Sequence, residues 1–141
     1  MKDLKIYLVD DDAFYLNILE QHLLNMGCLS VQLFENGSDC LDQLAEKPDV
    51  IFLDYQMDTL TGYEVLKKIK RYDPNIYVVM ISAQEAIKPA VDALKHGAFD
   101  YIQKGDQEES KVKDVLQRIL DIKTILDRPA PGFLKKLFQF L

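Results

Sequence analysis

Four apolar residues, Val50-Ile51-Phe52-Leu53, run without alternation into a single carboxylate, Asp54. A short run of β-branched and aromatic residues with no polar face reads as a strand buried on both sides of a sheet. Lys5-Ile6-Tyr7-Leu8-Val9 repeats the design and ends on Asp10-Asp11-Asp12. Ile76 to Ile81 repeats it again and ends on Ser82. Ser30 to Phe34 alternates instead, which predicts an edge strand. Phe99 to Ile102 predicts a short fifth strand, with Lys104 just beyond it.

Between these runs the apolar spacing is helical. Phe14, Leu16, Ile18, Leu19, Leu23 and Leu24 predict a first helix, with Asp12 as its N-cap and Gly27 as its stop. Asn36-Gly37 turns the chain, and Ser38 is positioned to cap a helix carrying Cys40, Leu41 and Leu44 that Pro48 ends. After a loop at 55–61 and Gly62, the residues Tyr63, Val65, Leu66 and Ile69 line a third helix, closed by the turn Asp73-Pro74-Asn75. Ala90, Val91, Ala93 and Leu94 mark a fourth, with Pro89 in its first turn and His96-Gly97 at its end. A long last helix spans about 108–127. Strict β–α alternation implies a parallel sheet with helices on both faces.

That last helix carries a stripe of Val112, Val115, Ile119, Ile122 and Leu126 at heptad spacing. Leu116, Leu120 and Ile125 widen it into one broad face for the sheet, or leave its end to be covered by another segment. The composition breaks only at Arg128-Pro129-Ala130-Pro131-Gly132. The organisation expected is a domain over 1–127, a stiff linker at 128–132 and an apolar, basic amphipathic tail at 133–141. The tail, apolar except for Lys135, Lys136 and Gln139, reads as a contact segment. Its occupants are its own domain, another chain such as a second copy, or a membrane surface. Two lysines make the last the weakest of the three.

Charge and cysteine content narrow the classes. A net charge of −6 over 141 residues argues against a nucleic-acid-binding surface. Cys28 and Cys40 form neither a metal nor a redox spacing, and two cysteines are too few for a disulfide scaffold. No signal peptide or bilayer-length apolar run is present, so the expected location is the cytoplasm. His22 and His96 lie in helical segments without a partnered acid–base pattern and read as surface or packing residues.

The chemistry gathers at the carboxyl ends of the strands, the edge where open α/β sheets bind ligands. Asp10 and Asp11 follow the first strand, Asp54 the third, Ser82 the fourth and Lys104 the fifth. Clustered carboxylates repel, and a hard cation with oxygen ligands, Mg²⁺ above all, relieves them. A cation, a lysine and a hydroxyl around a carboxylate make a phosphoryl site with Asp54 as nucleophile. Alone, the aspartates also read as a solvated helix-capping turn, and Ser82 as a cap.

The segments 8–12 (Leu-Val-Asp-Asp-Asp), 51–57 (Ile-Phe-Leu-Asp-Tyr-Gln-Met) with Gly62, 80–83 (Met-Ile-Ser-Ala) and 97–104 (Gly-Ala-Phe-Asp-Tyr-Ile-Gln-Lys) occur here in one order and spacing. Over 3–127 the chain resembles the receiver domain of bacterial response regulators, of the stand-alone, chemotaxis-regulator-like type. The resemblance implies a three-layer flavodoxin-like (βα)5 fold with strand order 2-1-3-4-5. It implies phosphorylation of Asp54 by a phosphohistidine on a sensor histidine kinase or a histidine phosphotransfer protein. Asp11 and Asp54 match Mg²⁺ ligands (Mn²⁺ being the alternative ion), with Asp10 acting through water and Gln56 through its backbone carbonyl. Ser82 matches the hydroxyl that approaches the phosphoryl group, Tyr101 the aromatic that turns inward with it, and Lys104 the lysine that bridges to it. Gln56 and Gln84 match positions that tune phosphoryl lifetime. Output is expected by protein contact through the 84–127 surface and the tail, with no attached output domain. The only chemistry expected is self-phosphorylation and autodephosphorylation.

Two departures from the family pattern stand out. Asp58 replaces a usual proline, adding an acid near the site. Gly105 replaces the proline that forms a cis bond after the lysine. A non-proline cis bond costs about 2.5–4 kcal/mol, so a trans Lys104–Gly105 bond and a looser loop are expected. Two rivals follow. One is a pseudo-receiver that binds partners without phosphorylation. The other is a Mg²⁺-dependent phosphohydrolase with an aspartyl nucleophile, which lacks a general acid because Gln56 stands two residues after Asp54.

Overall fold

A computed structural model describes residues 1–83 and 86–127. The linker at 128–132, the tail at 133–141 and Gln84 lie outside the described residues. The elements are β1 (Lys5–Val9), α1 (Ala13–Asn25), β2 (Ser30–Phe34), α2 (Gly37–Asp42), β3 (Val50–Asp54), α3 (Gly62–Tyr72), β4 (Tyr77–Ser82), α4 (Ile87–Lys95), β5 (Asp100–Gln103) and α5 (Glu108–Leu126). All strand pairs are parallel, in the order β2-β1-β3-β4-β5. This is the three-layer α/β architecture and strand order that the resemblance to receiver domains implies.

Side-chain alternation sorts the core into two clusters. On one face Ile6, Leu8, Val50, Phe52, Val79 and Ile81 meet Leu16, Leu19 and Leu23 of α1 and Val112, Val115, Leu116 and Ile119 of α5. On the other, Tyr7, Val9, Ile51, Leu53, Val78 and Met80 meet Cys40 of α2, Val65, Leu66 and Ile69 of α3, and Ala93 of α4. Helices thus cover both faces, which is why every residue of β3 is buried. Each such aliphatic or aromatic side chain contributes about 1.5–3 kcal/mol of burial. β2 alternates between exposed and partly buried positions and lies at the sheet edge, as its pattern predicts.

Three local expectations are corrected. Ser38 does not cap α2. Asn36 does, accepting from the Asp39 N–H at 2.8 Å, because its extended backbone places its side chain over the first turn. Nor does that helix continue to Pro48. It ends at Asp42, and Leu44 sits instead on a short 3₁₀ turn (Leu44–Glu46) followed by Lys47 in a left-handed conformation. The last two strands each begin one residue later than expected. Ile76 is held in the preceding turn by Asp73, and the β4–β5 ladder pairs Val79 with Asp100 and Ser82 with Gln103.

The broad-face reading of α5 holds for its first half. Val112, Val115, Leu116 and Ile119 are buried, whereas Ile125 and Leu126 are 61% and 73% exposed. Among the described residues no helix is long and apolar enough to cross a membrane.

Candidate functional site

Parallel strands stop together, so their carboxyl ends bring distant residues to one edge. Asp10 follows β1 and is held against β2 by its N–H, which donates to the Phe34 carbonyl at 3.1 Å. One carboxylate oxygen of Asp10 accepts from the Asp12 N–H at 2.9 Å, and the other accepts from Lys104 Nζ at 2.7 Å. Asp12 points away and caps α1, accepting from the Tyr15 N–H at 3.2 Å. Asp11 stays exposed. Asp54 ends β3 and is buried.

Asp10, Asp11 and Asp54 each place one carboxylate oxygen within 4.8 Å of the others. Burial and the neighbouring Asp10 push the Asp54 carboxyl up to about 6, against the pull of Lys104 and the Gln56 backbone N–H. Burial, Asp10 and Asp58 raise Asp11 as well. Such negative charge, only partly met by Lys104 and offered entirely by oxygens, fits a hard divalent cation that keeps part of its water. Gln56 and Asp58 sit exposed on the loop beyond Asp54, so the expected acid beside the cluster is in place.

Lys104 closes the site. Its backbone N–H donates to the Ser82 carbonyl at 2.8 Å, which fixes it beside the end of β4. Its ammonium lies 3.7 Å from Asp54 Oδ1. Burial alone would discharge it, but the hydrogen bond to Asp10 and the Asp54 charge outweigh that and hold its pKa above the ordinary lysine value. Ser82 is fully buried at the end of β4. Tyr101, paired with Met80 on β5, packs inward against the α2–α3–α4 cluster, and its hydroxyl is shielded from solvent.

Gly62 has a steric reason. Its N–H donates to the Tyr55 carbonyl at 2.9 Å. A Cβ there would lie 2.1 Å from the Asp54 carbonyl oxygen and 2.8 Å from Tyr55 Cα. Only glycine lets α3 start against the strand end that carries Asp54. The Lys104–Gly105 bond is trans, and Gly105 adopts a φ of 155° with open space where a Cβ would stand. His96 packs edge-on against Tyr63 and bonds its hydroxyl at 2.8 Å, and His22 lies 4.0 Å from Glu109, both away from the acid cluster.

Two residues at this edge were not singled out in the sequence. The Tyr15 ring lies under Lys104, with Nζ 4.0 Å from its centroid. The Tyr15 hydroxyl donates to Glu108, an acid buried in the first turn of α5. Their separation of 93 positions left no local signal that could pair them.

The family model for the response regulator receiver domain matches residues 6–117. The chain belongs to that family. Its receiver region is 39% identical over 100 residues to the DNA-binding transcriptional regulator NtrC of Escherichia coli (strain K12), covering 70% of this chain and 21% of that protein. The chain thus spans about a fifth of the length of the curated relatives it matches. Among solved structures, a receiver domain protein from Clostridium thermocellum superposes with a TM-score of 0.80 at 25% identity, over 87% of this chain and 98% of that one. The receiver domain of NtrX from Brucella abortus superposes with a TM-score of 0.75 at 29% identity, over 83% and 98%. Receivers are signalling domains of two-component systems that bind Mg²⁺ at an aspartate cluster, here Asp10, Asp11 and Asp54.

Proposed function

We propose that this receiver accepts a phosphoryl group on Asp54 from a phosphohistidine of a sensor histidine kinase or histidine phosphotransfer protein, in the cytoplasm. The observation that supports it is the meeting of three carboxylate oxygens within 4.8 Å with the Lys104 ammonium 3.7 Å from Asp54. An Asp54 carboxylate oxygen attacks phosphorus, the bond from phosphorus to the donor nitrogen breaks, and its electron pair leaves on the imidazole. Asp11 and Asp54 would hold Mg²⁺ or Mn²⁺, with the Gln56 carbonyl and, through water, Asp10. The cation supplies neutralisation of phosphoryl oxygen charge.

Lys104 supplies the remaining positive charge, held in place by its main-chain bond to Ser82. The Ser82 hydroxyl donates to a phosphoryl oxygen. Gln56, and Gln84 by its place in the sequence two residues after Ser82, set how long the adduct survives. The product places a charge of about −2 on Asp54. Drawn toward Ser82 and Lys104, that charge biases the inward position of Tyr101 and the α4–β5–α5 surface toward a downstream protein. The 133–141 tail is proposed as a further contact segment.

Intact-protein mass after incubation with Mg²⁺ and acetyl phosphate tests this, beside an Asp54→Asn control. One phosphate adduct that needs Mg²⁺ and is absent from the control is the expected result. No adduct, with no binding of Mg²⁺ or beryllofluoride, would replace the reading with a pseudo-receiver, the alternative that Asp58 and Gly105 raise and that the intact set of Asp10, Asp11, Asp54, Ser82 and Lys104 speaks against. Catalytic turnover of a small phosphate ester would replace it with a phosphohydrolase.

A further inference from the structure

Lys104 must do two things at once. It must hold its charge in a largely desolvated site, and it must shift from Asp10 toward a new anion when Asp54 is phosphorylated. Its side chain is 22% exposed, and its direct partners are the two carboxylates, at 2.7 and 3.7 Å. The residue that follows it, Gly105, has the backbone freedom of glycine and no side chain to pack. The main-chain bond to Ser82 fixes the backbone of Lys104, and the ammonium at the far end of the side chain is placed by the groups around it.

The third side of the ammonium is a ring face. Tyr15 stands in the first turn of α1, its N–H bonded to the Asp12 cap, and its ring centroid is 4.0 Å from Lys104 Nζ. The Tyr15 hydroxyl is tied to Glu108. Glu108 begins α5 and donates its own N–H to the Gly105 carbonyl at 3.1 Å. The contacts therefore close a circuit: Lys104 to Tyr15, Tyr15 to Glu108, Glu108 to Gly105, and Gly105 to Lys104 through the chain. A ring face attracts a cation through its quadrupole without demanding one hydrogen-bond direction. It can hold an ammonium equally well beside Asp10 and beside a phosphoryl oxygen.

We propose that Tyr15 is a positioning residue for phosphoryl transfer, its ring carrying the Lys104 ammonium beside Asp54 and its hydroxyl anchoring that ring to Glu108 at the start of α5. The proposal rests on the reading of Asp54 as phosphoacceptor. The ring of Tyr15 meets Lys104 and its hydroxyl meets Glu108, so Tyr15 acts on the transfer through the lysine. Its removal should slow transfer at saturating donor and leave the half-saturating donor concentration in place.

The experiment compares Tyr15→Phe, which keeps the ring, with Tyr15→Leu, which removes it. Tyr15→Met serves where the leucine variant does not fold and carries the same expectation. Two quantities are read. One is the Mg²⁺-dependent phosphorylation rate with acetyl phosphate. The other is the NMR shift of the Lys104 ε-methylene protons, which a ring face moves upfield.

The phenylalanine variant keeps the upfield shift and a rate within about twofold of wild type. The leucine variant loses the shift and is slower by about two- to thirty-fold, the rate equivalent of one cation–π contact. A leucine variant phosphorylated at the wild-type rate overturns the proposal, whether or not the shift is lost. A phenylalanine variant that keeps the upfield shift and is as slow as the leucine one also overturns it, because the hydroxyl and not the ring would then carry the effect. A wild-type chain that takes no phosphate sinks the phosphoacceptor reading itself and this proposal with it. That outcome is distinct from a wild-type chain that is phosphorylated and indifferent to residue 15.

Discussion

Replacing Asp54 with asparagine should make the metal-free protein more stable at neutral pH. Asp54 is 7% exposed and faces Asp10, and its carboxyl is raised from 3.8 to about 6. Above pH 6 the group is ionised in both folded and unfolded chains, and the folded chain bears the cost. Between about 6 and 4 the folded state binds a proton that the unfolded state has already released, so this group's contribution improves as pH falls. Below about 4 the group is neutral in both states and contributes nothing to the difference. A displacement of about two pH units corresponds to about 3 kcal/mol at most. Solvent at the open edge of the site brings that to about 1–2 kcal/mol.

For a domain of this size, Asp54→Asn should therefore melt about 3–10 °C above wild type at pH 7. The gap should close as pH falls toward 4. Thermal unfolding followed by circular dichroism at pH 7, 6, 5 and 4, in chelator, measures it. Mg²⁺ should narrow or invert the gap. A bound ligand at about 100 times its dissociation constant adds about 2.7 kcal/mol, and the variant lacks one of the carboxylates proposed to hold the ion. An asparagine variant that melts below wild type at pH 7 refutes the reasoning, and so does an advantage undiminished at pH 4.

Four further outcomes are expected. Gly62→Ala places a Cβ 2.1 Å from the Asp54 carbonyl oxygen and should cost at least about 1–3 kcal/mol in urea unfolding while lowering phosphorylation yield. Lys104→Met leaves two buried carboxylates facing each other without their cation and should cost about 2–4 kcal/mol at pH 7. Part of that should return as pH falls toward 6, because without Lys104 the Asp54 carboxyl takes its proton at a higher pH than in the wild-type chain. Asn36→Ala should cost about 1 kcal/mol and Ser38→Ala almost nothing, since only Asn36 caps α2. Deleting residues 130–141 should change the melting temperature or the sedimentation coefficient; if neither moves, the tail meets neither its own domain nor a second copy.

Most of the architecture was legible because each strand carries an unambiguous signal. Val50 to Leu53 has no polar face, so it had to be central, and the alternation of Ser30 to Phe34 placed it at an edge. The acid cluster was legible for a related reason: a buried parallel strand that ends on a carboxylate can point it only at the carboxyl edge. Signals that depend on a choice between neighbours were weaker. Asn36 and Ser38 are both good capping residues, and the extended backbone at Asn36 decides between them. Leu44 keeps helical spacing with Leu41, yet it belongs to a 3₁₀ turn that packs it into the same core. Tyr15 and Glu108 escaped altogether, because an aromatic and an acid in two separate first turns are unremarkable until the fold brings them together.

If Asp54 takes the phosphoryl group as proposed, the geometry favours output through β5 and α5 over output through α2. Asp54 meets Asp10 and Asp11 on the β1 side, and both sit at the end of a strand locked between two neighbours. On the other side it meets Lys104, whose main chain is bonded to Ser82 and whose segment leads through Gly105 into α5. β5 is an edge strand of four residues, and it is further tied to α5 by the ion pair of Asp100 with Arg118. New charge at Asp54 would pull on both sides, and among the described residues it is the β5 side that joins a short edge strand to one helix through a glycine link. Tyr101 sits on that strand two residues from its end, so its inward packing reports the position of β5. A substitution that stiffens position 105 should therefore weaken the response of Tyr101 to phosphorylation more than it slows phosphorylation itself, and tyrosine fluorescence beside adduct mass would separate the two.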